Sequence, residues 1–236
     1  SVALHIPWDK VDDYKHLADY AAELGVRLGT INSNTFQDDD YKLGSVCHPD
    51  AKIRQKSVDH LYECIDIMDK TGAKDIKLWF ADGTNYPGQD NLADRQDRLA
   101  DSLRKCYDRL GPDQRMLLEY KFFEPAFYHT DVPDWGTSLL HCMALGPKAM
   151  VVVDTGHHAP GTNIEFIVAG LLRAKRLGPS RAARTSAPLA TGFFRATTKD
   201  PLDCHRCPGF AGAAQWGASR RPPSCLQSSR SWKSIF

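Results

Sequence analysis

The feature that most constrains the fold is a repeated unit, in which a short apolar run precedes a polar loop and an amphipathic segment. The unit occurs five times before residue 179, and a glycine follows each amphipathic segment. The apolar runs have the length of buried strands, and the amphipathic segments carry apolar residues three and four positions apart, as helices do. This alternation indicates parallel strands joined by right-handed crossovers. It predicts an α/β fold, a partial (β/α)8 TIM barrel with about five of the eight β/α units that close such a barrel.

The repeat also predicts the bounds of the strands and helices. The strands are predicted at residues 2–6, 27–31, 75–80, 116–121 and 150–153. The helices are predicted to begin at Asp9 and end at Gly25, to end before Gly72, to run from Leu92 to Gly111 with Leu92 buried, to run from Trp135 to Gly146, and to span 164–177 before Gly178. Polar loops follow the carboxyl ends of the strands, where barrels of this kind place their chemistry.

Residues 179–236 break this pattern. They contain nine Lys or Arg against two Asp or Glu, whereas residues 1–178 contain 21 against 27. They lack a lasting period of 2 or 3.6, which predicts an irregular, low-order basic tail after a barrel domain at 1–178. A solvated linker and a continuation altered by a shifted reading frame or mis-splicing both remain open. A nucleic-acid-binding tail is disfavoured, because the basic residues are diluted among Ser and Pro.

Other features narrow the class of protein. No apolar run approaches the roughly twenty residues of a membrane helix, so no membrane span is predicted. Seven scattered cysteines and a start without a charged region or apolar core favour a reducing cytoplasm. The sequence contains neither a phosphate-binding glycine loop nor a nucleophile elbow. Cys204 and Cys207 form a lone pair, which is a weak signal for zinc.

Two carboxylates are associated with the ends of neighbouring predicted strands. Glu119 lies near the end of the fourth strand, and Asp154 directly follows the fifth. Ionised carboxylates at one sheet edge repel each other unless a cation or a proton lies between them. His157 can reach the same region round a turn, and this donor set suits Mn²⁺, Co²⁺ or Mg²⁺. The alternative is that Asp154 only caps the turn and His157 is a surface histidine.

Four further residues flank the strand ends. Lys121 is predicted on the same strand face as Glu119, where it either contacts a substrate or forms an ion pair with Glu119. His5 ends the first strand with Asp9 within reach of its ring, which suits either proton transfer or a helix cap. Trp79 and Phe36 are candidates for the wall of a sugar pocket, with plain core packing as the alternative.

These positions lie within or beside seven longer motifs that span nearly all of residues 1–178. The motifs are LHIPWDK (4–10), INSNTFQDDDYKLGS (31–45), ECIDI (63–67), DGTNYPGQ (82–89), LEYKFFEPAFY (118–128), DWGTS (134–138) and DTGHHAPGTNIEFIV (154–168). Together they resemble the bacterial L-rhamnose isomerase family within the xylose-isomerase-like barrels. The motifs are long and specific, beyond a likeness of fold.

The resemblance implies an aldose–ketose isomerase, with L-rhamnose and L-rhamnulose as the namesake pair and often a broad tolerance for other sugars. It implies two divalent ions per site, commonly Mn²⁺, in a homo-tetrameric (β/α)8 barrel. The implied partner is a small sugar, with neither nucleic acid nor membrane. The implied chemistry is a metal-assisted hydride shift between C1 and C2, with proton transfer through an enediol as the competing account.

The resemblance also implies a role for each site residue. Glu119 and Asp154 would bind the metal that holds the sugar hydroxyls, and His157 would serve the second, catalytic metal. The other positions would act on the sugar itself. The implied roles are contact by Lys121 and Trp79, packing by Phe36 and ring opening by His5.

The sequence departs from this family after Gly178. The family continues with a strand that bears a metal-binding His, then an Asp-rich segment and a later Asp, and none of these is recognisable here. Family residues that precede the first strand are also missing. A hard cation with only two or three protein ligands binds weakly, so this chain is expected to be inactive or nearly so. A sugar epimerase on the same scaffold and a non-catalytic, sugar-binding remnant are the alternatives.

Overall fold

The computed structural model describes residues 1–124 and 128–179. Within them, five parallel strands form one sheet in the order β1-β2-β3-β4-β5, with helices between and after them. The strands are β1 Val2–Ile6, β2 Leu28–Ser33, β3 Asp75–Trp79, β4 Arg115–Glu119 and β5 Ala149–Val152. The helices are α1 Tyr14–Glu23, α2 Ala51–Thr71, α3 Leu92–Arg109, α4 Trp135–Leu145 and α5 Ile164–Arg173, with a 3-10 helix at Asp39–Leu43.

The predicted α/β fold with five β/α units is therefore confirmed. The irregular tail was predicted at 179–236, and only its first residue is described. The rest of the tail, with Cys204 and Cys207, lies outside the described residues. The four cysteines that the structure describes, at positions 47, 64, 106 and 142, are buried free thiols. No helix in the described ranges is both long enough and apolar enough to cross a membrane.

The two faces of the sheet differ in chemistry. Side chains alternate along a strand, so Ile76 and Leu78 point to one face and their neighbours point to the other. Ile76 and Leu78 are fully buried, and helix α2 packs against their strand. The sheet is thus apolar where helices cover it and polar where a barrel would have its interior. The strand register places polar and aromatic side chains in adjacent rows on this second face: His5, Asn32, Lys77, Trp79 and Glu119.

Side-chain caps determine where the helices begin. The prediction that the first helix begins at Asp9 is wrong. Asp9 Oδ2 instead accepts from the backbone N–H of His5 at 2.7 Å, and Asp13 Oδ1 accepts from that of His16 at 2.9 Å, so α1 begins at Tyr14. Each of the five α-helices in the described ranges has a cap of this kind, whose side chain accepts a backbone N–H of the first turn. The capping residues are Asp13, Asp50, Asn91, Asp134 and Asn163.

The first two long helices, α1 and α2, end at or just before the glycines that were predicted to end them. Gly25 and Gly72 both have a φ of 70°, as expected for residues that end helices. The end predicted for the last helix is wrong, because α5 stops at Arg173 and not at residue 177. Lys175 takes the left-handed conformation there, at φ 55°, and its N–H donates to Leu172 O at 3.0 Å. A left-handed residue ends the helix before the glycine is reached.

Residues 176–178 then run parallel to β5. The N–H of Val151 donates to Arg176 O at 2.7 Å, and the N–H of Gly178 donates to Val151 O at 2.8 Å. Leu177 forms a parallel bridge with Val151. The chain therefore starts to extend the sheet beyond its fifth strand.

The ends of two strands and the burial of Leu92 also differ from the prediction. Strand β2 continues to Ser33, so Asn32 lies in the sheet and not in a loop. Strand β4 ends at Glu119, and the N–H of Lys121 donates at 3.3 Å to Val132 in the following loop. Leu92, predicted to be buried, is 42% exposed, since it is the first residue of α3 and directly follows the cap.

Candidate metal and sugar site

Three possible metal ligands meet at the carboxyl end of the sheet. Glu119 is the last residue of β4, Asp154 lies two residues after β5, and His157 is in the turn that follows. One ligand atom from each lies within 4.8 Å of the other two. His157 Nδ1 is 3.2 Å from Glu119 Oε1. We refer to Glu119, Asp154 and His157 as the strand-end trio.

A tight turn brings His157 back towards the strand ends. Its N–H donates to Asp154 O at 3.0 Å, and the N–H of Gly156 donates to Asp154 Oδ1 at 2.8 Å. The turn-capping role that the sequence left open for Asp154 is therefore present, and it coexists with membership of the trio, because a carboxylate has several acceptor sites. The His157 ring is stacked on Trp79, with 5.7 Å between centroids, and its Nδ1 is 3.1 Å from Tyr120 O. His157 is thus held in place on both sides.

The carboxylate of Glu119 is only partly compensated. It is 3% exposed, and Lys77 Nζ lies 2.9 Å from Oε2. That contact is an ion pair without hydrogen-bond geometry, and Oε2 has no hydrogen bond within the part of the chain that the structure describes. A buried carboxylate oxygen without a hydrogen bond carries a desolvation cost that a bound cation offsets. The two carboxylates and the imidazole therefore fit a divalent metal ion.

Lys121 has a different set of neighbours. Its ammonium forms an ion pair with Glu124 and lies 4.2 Å from the centroid of the Tyr128 ring. Because β4 ends at Glu119, the strand alternation that was expected to align the two residues does not reach Lys121. The lysine in the ion pair with Glu119 is Lys77, which the sequence reasoning missed. A signal was present, because a lysine in the middle of the buried-strand pattern DIKLW needs a partner.

The ring of His5 is held by Asn32 and not by Asp9. Asn32 Nδ2 lies 2.9 Å from His5 Nε2, so the amide donates and the ring nitrogen accepts. In a neutral imidazole this leaves the proton on Nδ1. Asp9 contacts the His5 backbone, so the expected contact with the ring is replaced. Asn32 is a second residue that sequence reasoning missed, because it was assigned to a loop.

These side chains surround one cavity of about 160 Å³. The three possible metal ligands, the imidazole held by Asn32 and the indole of Trp79 all line this single space. The cavity has the combination of fixed polar groups and an apolar wall that suits a small polyhydroxylated ligand. The residues that line it include His5, Trp8, Asn32, Lys77, Trp79, Glu119, Asp154 and His157.

Aromatic rings form the wall of this cavity. The Trp79 ring meets the edge of Phe36, with 5.5 Å between centroids, and Phe36 itself lines a neighbouring cavity of about 230 Å³. Trp8, also missed from sequence, stacks on His5 at 5.9 Å and donates its indole N–H to Gln37 Oε1 at 2.6 Å. Of the two predicted aromatic residues, Trp79 therefore lines the cavity and Phe36 supports it from behind.

A second group of charges, most of them buried, lies in the loops beside the site. We call Asp82, Asp90, Arg95 and Asp131 the loop cluster. The Arg95 guanidinium donates to both oxygens of Asp131 at 2.7 Å, and also to Asp90 at 3.0 Å. Asp82 accepts from the backbone and the hydroxyl of Ser45 at 2.7 and 2.8 Å, and from a threonine hydroxyl at 2.6 Å.

The loop cluster ties together the loops after β2, β3 and β4. Burial raises the pKa of Asp82 above its usual range, and the hydrogen bonds from Thr35 and Ser45 oppose that shift. Gly83 is required beside it, with φ at 118°, because a side chain there would overlap the Asp131 carboxylate. The cluster therefore fixes the loops that flank the cavity.

The chain is similar in sequence to proteins described as probable sugar isomerases. No family model matches the chain. A protein of Rhizobium meliloti (strain 1021), described as a probable sugar isomerase, is 46% identical over 183 residues, or 75% of this chain. Another probable sugar isomerase, from Mesorhizobium japonicum, is 44% identical over the same length. The chain spans 43% and 42% of these two proteins, which is less than half of each.

Solved structures show the same fold at low sequence identity. An L-ribulose 3-epimerase has a TM-score of 0.63 at 15% identity, over 86% of this chain and 64% of its own. A 3-keto-D-glucoside 4-epimerase from E. coli has a TM-score of 0.57 at 13% identity, over 72% and 63%. A D-allulose 3-epimerase from Methylomonas sp. has 0.59 at 18% identity, over 75% and 59%. These likenesses support the barrel-type α/β fold.

Proposed function

We propose that the protein derives from a metal-dependent sugar isomerase that interconverts an aldose and a ketose, with L-rhamnose and L-rhamnulose as the pair to test first. The observation that carries the proposal is the strand-end trio, whose ligand atoms lie within 4.8 Å of one another on a cavity walled by Trp79. The probable sugar isomerases that share 46% and 44% identity with this chain support the reaction class. The L-rhamnose specificity rests on the motif resemblance alone.

The trio would hold the metal in this proposal. Glu119 and Asp154 supply carboxylate oxygens, and His157 supplies an imidazole nitrogen to the same site or to a second ion. A bound Mn²⁺, Co²⁺ or Mg²⁺ supplies Lewis-acid polarisation of the sugar oxygens. Mn²⁺ is the first choice, because an imidazole beside carboxylates shifts the preference from Mg²⁺ towards Mn²⁺ or Co²⁺.

The remaining residues would bind and orient the sugar. The indole of Trp79, which meets Phe36 edge-on, lines the cavity and would contact the apolar side of a sugar ring. His5, fixed by Asn32, can hold a proton at Nδ1 and pass it to a ring oxygen during ring opening. Lys121 is retained as a proposed sugar contact on the resemblance alone.

The proposal includes a limit on this particular chain. The match covers less than half of each relative, and the later ligands implied by the resemblance are not recognisable after Gly178. Three protein ligands hold a hard cation less tightly than a full set of six donors. We expect this chain to bind a divalent metal through the trio but to convert sugar slowly or not at all. A homo-tetramer and a cytoplasmic location remain predictions for the whole protein.

A sugar epimerase is the second candidate. The observation that favours it is the shared fold with the L-ribulose 3-epimerase and the D-allulose 3-epimerase, at TM-scores of 0.63 and 0.59. An epimerase would interconvert two ketoses without forming an aldose.

Product analysis separates these functions. The metal-stripped chain is supplied with Mn²⁺ and incubated in turn with L-rhamnose, L-rhamnulose and D-allulose, and the sugars are identified by NMR. An L-rhamnose–L-rhamnulose equilibrium supports the isomerase, whereas a new ketose from D-allulose supports the epimerase. The variant Glu119→Gln is the control for any activity seen.

The same experiment can contradict the proposal. If no sugar is converted but Mn²⁺ binding depends on Glu119, the interpretation as a non-catalytic remnant is supported. If Mn²⁺ binds the Glu119→Gln variant as tightly as the unaltered chain, the metal site is wrong and the proposed function loses its basis.

A further inference from the structure

Lys77 occupies an unusual place for a lysine. It lies in the middle of β3, in register with Asn32 on one side and Leu117 on the other. Its side chain is 13% exposed and points to the polar face of the sheet, where it reaches diagonally towards the next strand. Lysine is rarely buried to this extent without a charged partner. The partner is Glu119.

The contact between the two is close but not a hydrogen bond. Nζ lies 2.9 Å from Glu119 Oε2, and that oxygen has no hydrogen bond from the residues in 1–124 and 128–179. The ion pair supplies charge compensation without fixing both groups in a directional bond. An ammonium is a compact point charge on a flexible stem, so it can give up such a contact more easily than a forked guanidinium can.

Two cations therefore compete for the same carboxylate. A divalent ion held by the trio would lie within coordination distance of Glu119, and hence a few ångströms from Lys77. Like charges at that separation repel each other strongly when both are largely buried. The ammonium and the metal ion thus oppose each other, although both stabilise Glu119.

We propose that Lys77 is a positioning residue that compensates the charge of Glu119 in the metal-free protein. When a divalent ion binds Glu119, the ammonium of Lys77 must move away from the carboxylate. The presence of Lys77 therefore lowers the metal affinity of the trio. The inference rests on the metal site of the proposed function. It does not depend on which sugar, if any, the protein converts. A purely structural ion pair is the competing explanation, and the two differ in what they predict for metal binding.

The test removes the ammonium. Lys77→Met is compared with the unaltered chain and with Lys15→Met, which removes a lysine from the exposed surface of α1. Mn²⁺ dissociation constants are measured by calorimetry on metal-stripped protein at one fixed pH, and melting temperatures are measured with and without Mn²⁺. We expect K77M to bind Mn²⁺ about tenfold more tightly, since the repulsion is gone, and K15M to bind as the unaltered chain does.

The melting temperatures provide the readout that a structural role would not change. Without metal, K77M should melt at a lower temperature, because Glu119 loses its compensating charge. With Mn²⁺ the difference should shrink, so the metal-induced rise in melting temperature should be larger in K77M than in the unaltered chain. A structural ion pair would lower both melting temperatures equally and leave the rise unchanged.

A second variant covers the case in which K77M folds poorly. Lys77→Gln keeps a polar side chain at this position and removes the charge, and it should also bind Mn²⁺ more tightly than the unaltered chain. Unchanged or weaker Mn²⁺ binding in the folded variants overturns the role of Lys77. Failure of the proposed metal site looks different: the unaltered chain and Glu119→Gln would then bind Mn²⁺ equally.

Discussion

The loop cluster and the strand-end trio are both buried groups of charge, and they differ in how completely their carboxylates are satisfied. In the loop cluster, Asp131 receives two N–H donors from Arg95, and Asp82 receives three donors from two neighbouring residues. In the trio, Glu119 Oε2 has an ammonium near it but no hydrogen bond from the described residues.

The difference separates charges that complete one another within the protein from charges that we propose hold a ligand. A buried ion pair with full hydrogen bonding is complete, and removing one partner leaves an uncompensated charge. A buried carboxylate with an unfilled acceptor is incomplete within the protein and gains from a bound cation. The first group should control stability and the second should control binding, and this can be tested one residue at a time.

The largest effect should come from the loop cluster. Arg95→Met leaves Asp131 buried without its two donors, and we expect the free energy of unfolding to fall by about 3–5 kcal/mol, as for other broken buried pairs. Urea denaturation measures the loss. The matched control is Arg109→Met, whose guanidinium pairs with Asp66 on the exposed surface and should matter by less than about 1 kcal/mol. A similarly small loss of unfolding free energy in both variants would show that the loop cluster does not control stability.

The next effect belongs to the trio. Glu119→Gln should weaken Mn²⁺ binding by at least about 100-fold, since loss of even an outer partner of a ligand costs about 10–100-fold. Its effect on urea stability without metal should be smaller than that of Arg95→Met. Glu124→Gln, which removes the ion-pair partner of Lys121, is the control and should leave Mn²⁺ affinity unchanged. Equal Mn²⁺ affinities in the two variants would show that Glu119 is not a ligand.

Two glycines allow the packing beside the loop cluster to be compared with the packing of the loop after the trio. Gly83 and Gly161 both have positive φ, at 118° and 85°. A Cβ at Gly83 would overlap Asp131, whereas one at Gly161, in the loop after the trio, would meet no heavy atom within 4 Å. Gly83→Ala should cost roughly 2 kcal/mol more in urea unfolding than Gly161→Ala, because it adds overpacking to the strain of positive φ. Similar losses would mean that the loop cluster can relax.

The smallest effect is a change of stability with pH. Burial raises the pKa of Asp82 in the folded protein, so its carboxyl contributes stability below the unfolded pKa, and this is lost as pH rises through the folded value. The stability of the unaltered chain relative to Asp82→Asn should therefore decrease from about pH 4 towards neutral pH in urea titrations. Asp113→Asn, the same substitution at an exposed position, is the matched control. A relative stability that rises with pH would contradict the raised pKa.

Local signals in the sequence were enough to predict the fold and the trio. Apolar runs and helix-ending glycines such as Gly25 and Gly72 act on nearby residues, so they can be interpreted directly. Glu119 and Asp154 could be paired because the ends of adjacent parallel strands share one edge of the sheet. Their proximity to each other and to His157 follows from topology together with a three-residue turn.

The parts that could not be predicted depend on contacts between distant residues or on a single strand boundary. Arg95 and Asp131 are 36 residues apart in sequence, and neither lies in a pattern that marks the other. Placing Lys121 on the strand face of Glu119 required β4 to continue for two more residues, and it does not. Asp9 was predicted to open the first helix, and only the hydrogen bonds that Asp9 and Asp13 accept show that Asp13 is the cap.

The short stretch at 176–178 has a consequence for protein engineering. Because Val151 already fixes its direction and register, a designed segment joined after Gly178 would enter the sheet with its orientation decided in advance. Position 178 is best kept as glycine in such a fusion, since a methyl group there would press on Leu117 and Met150 at 3.2 and 3.3 Å. Further β/α units could therefore be joined after Gly178 and assayed one by one.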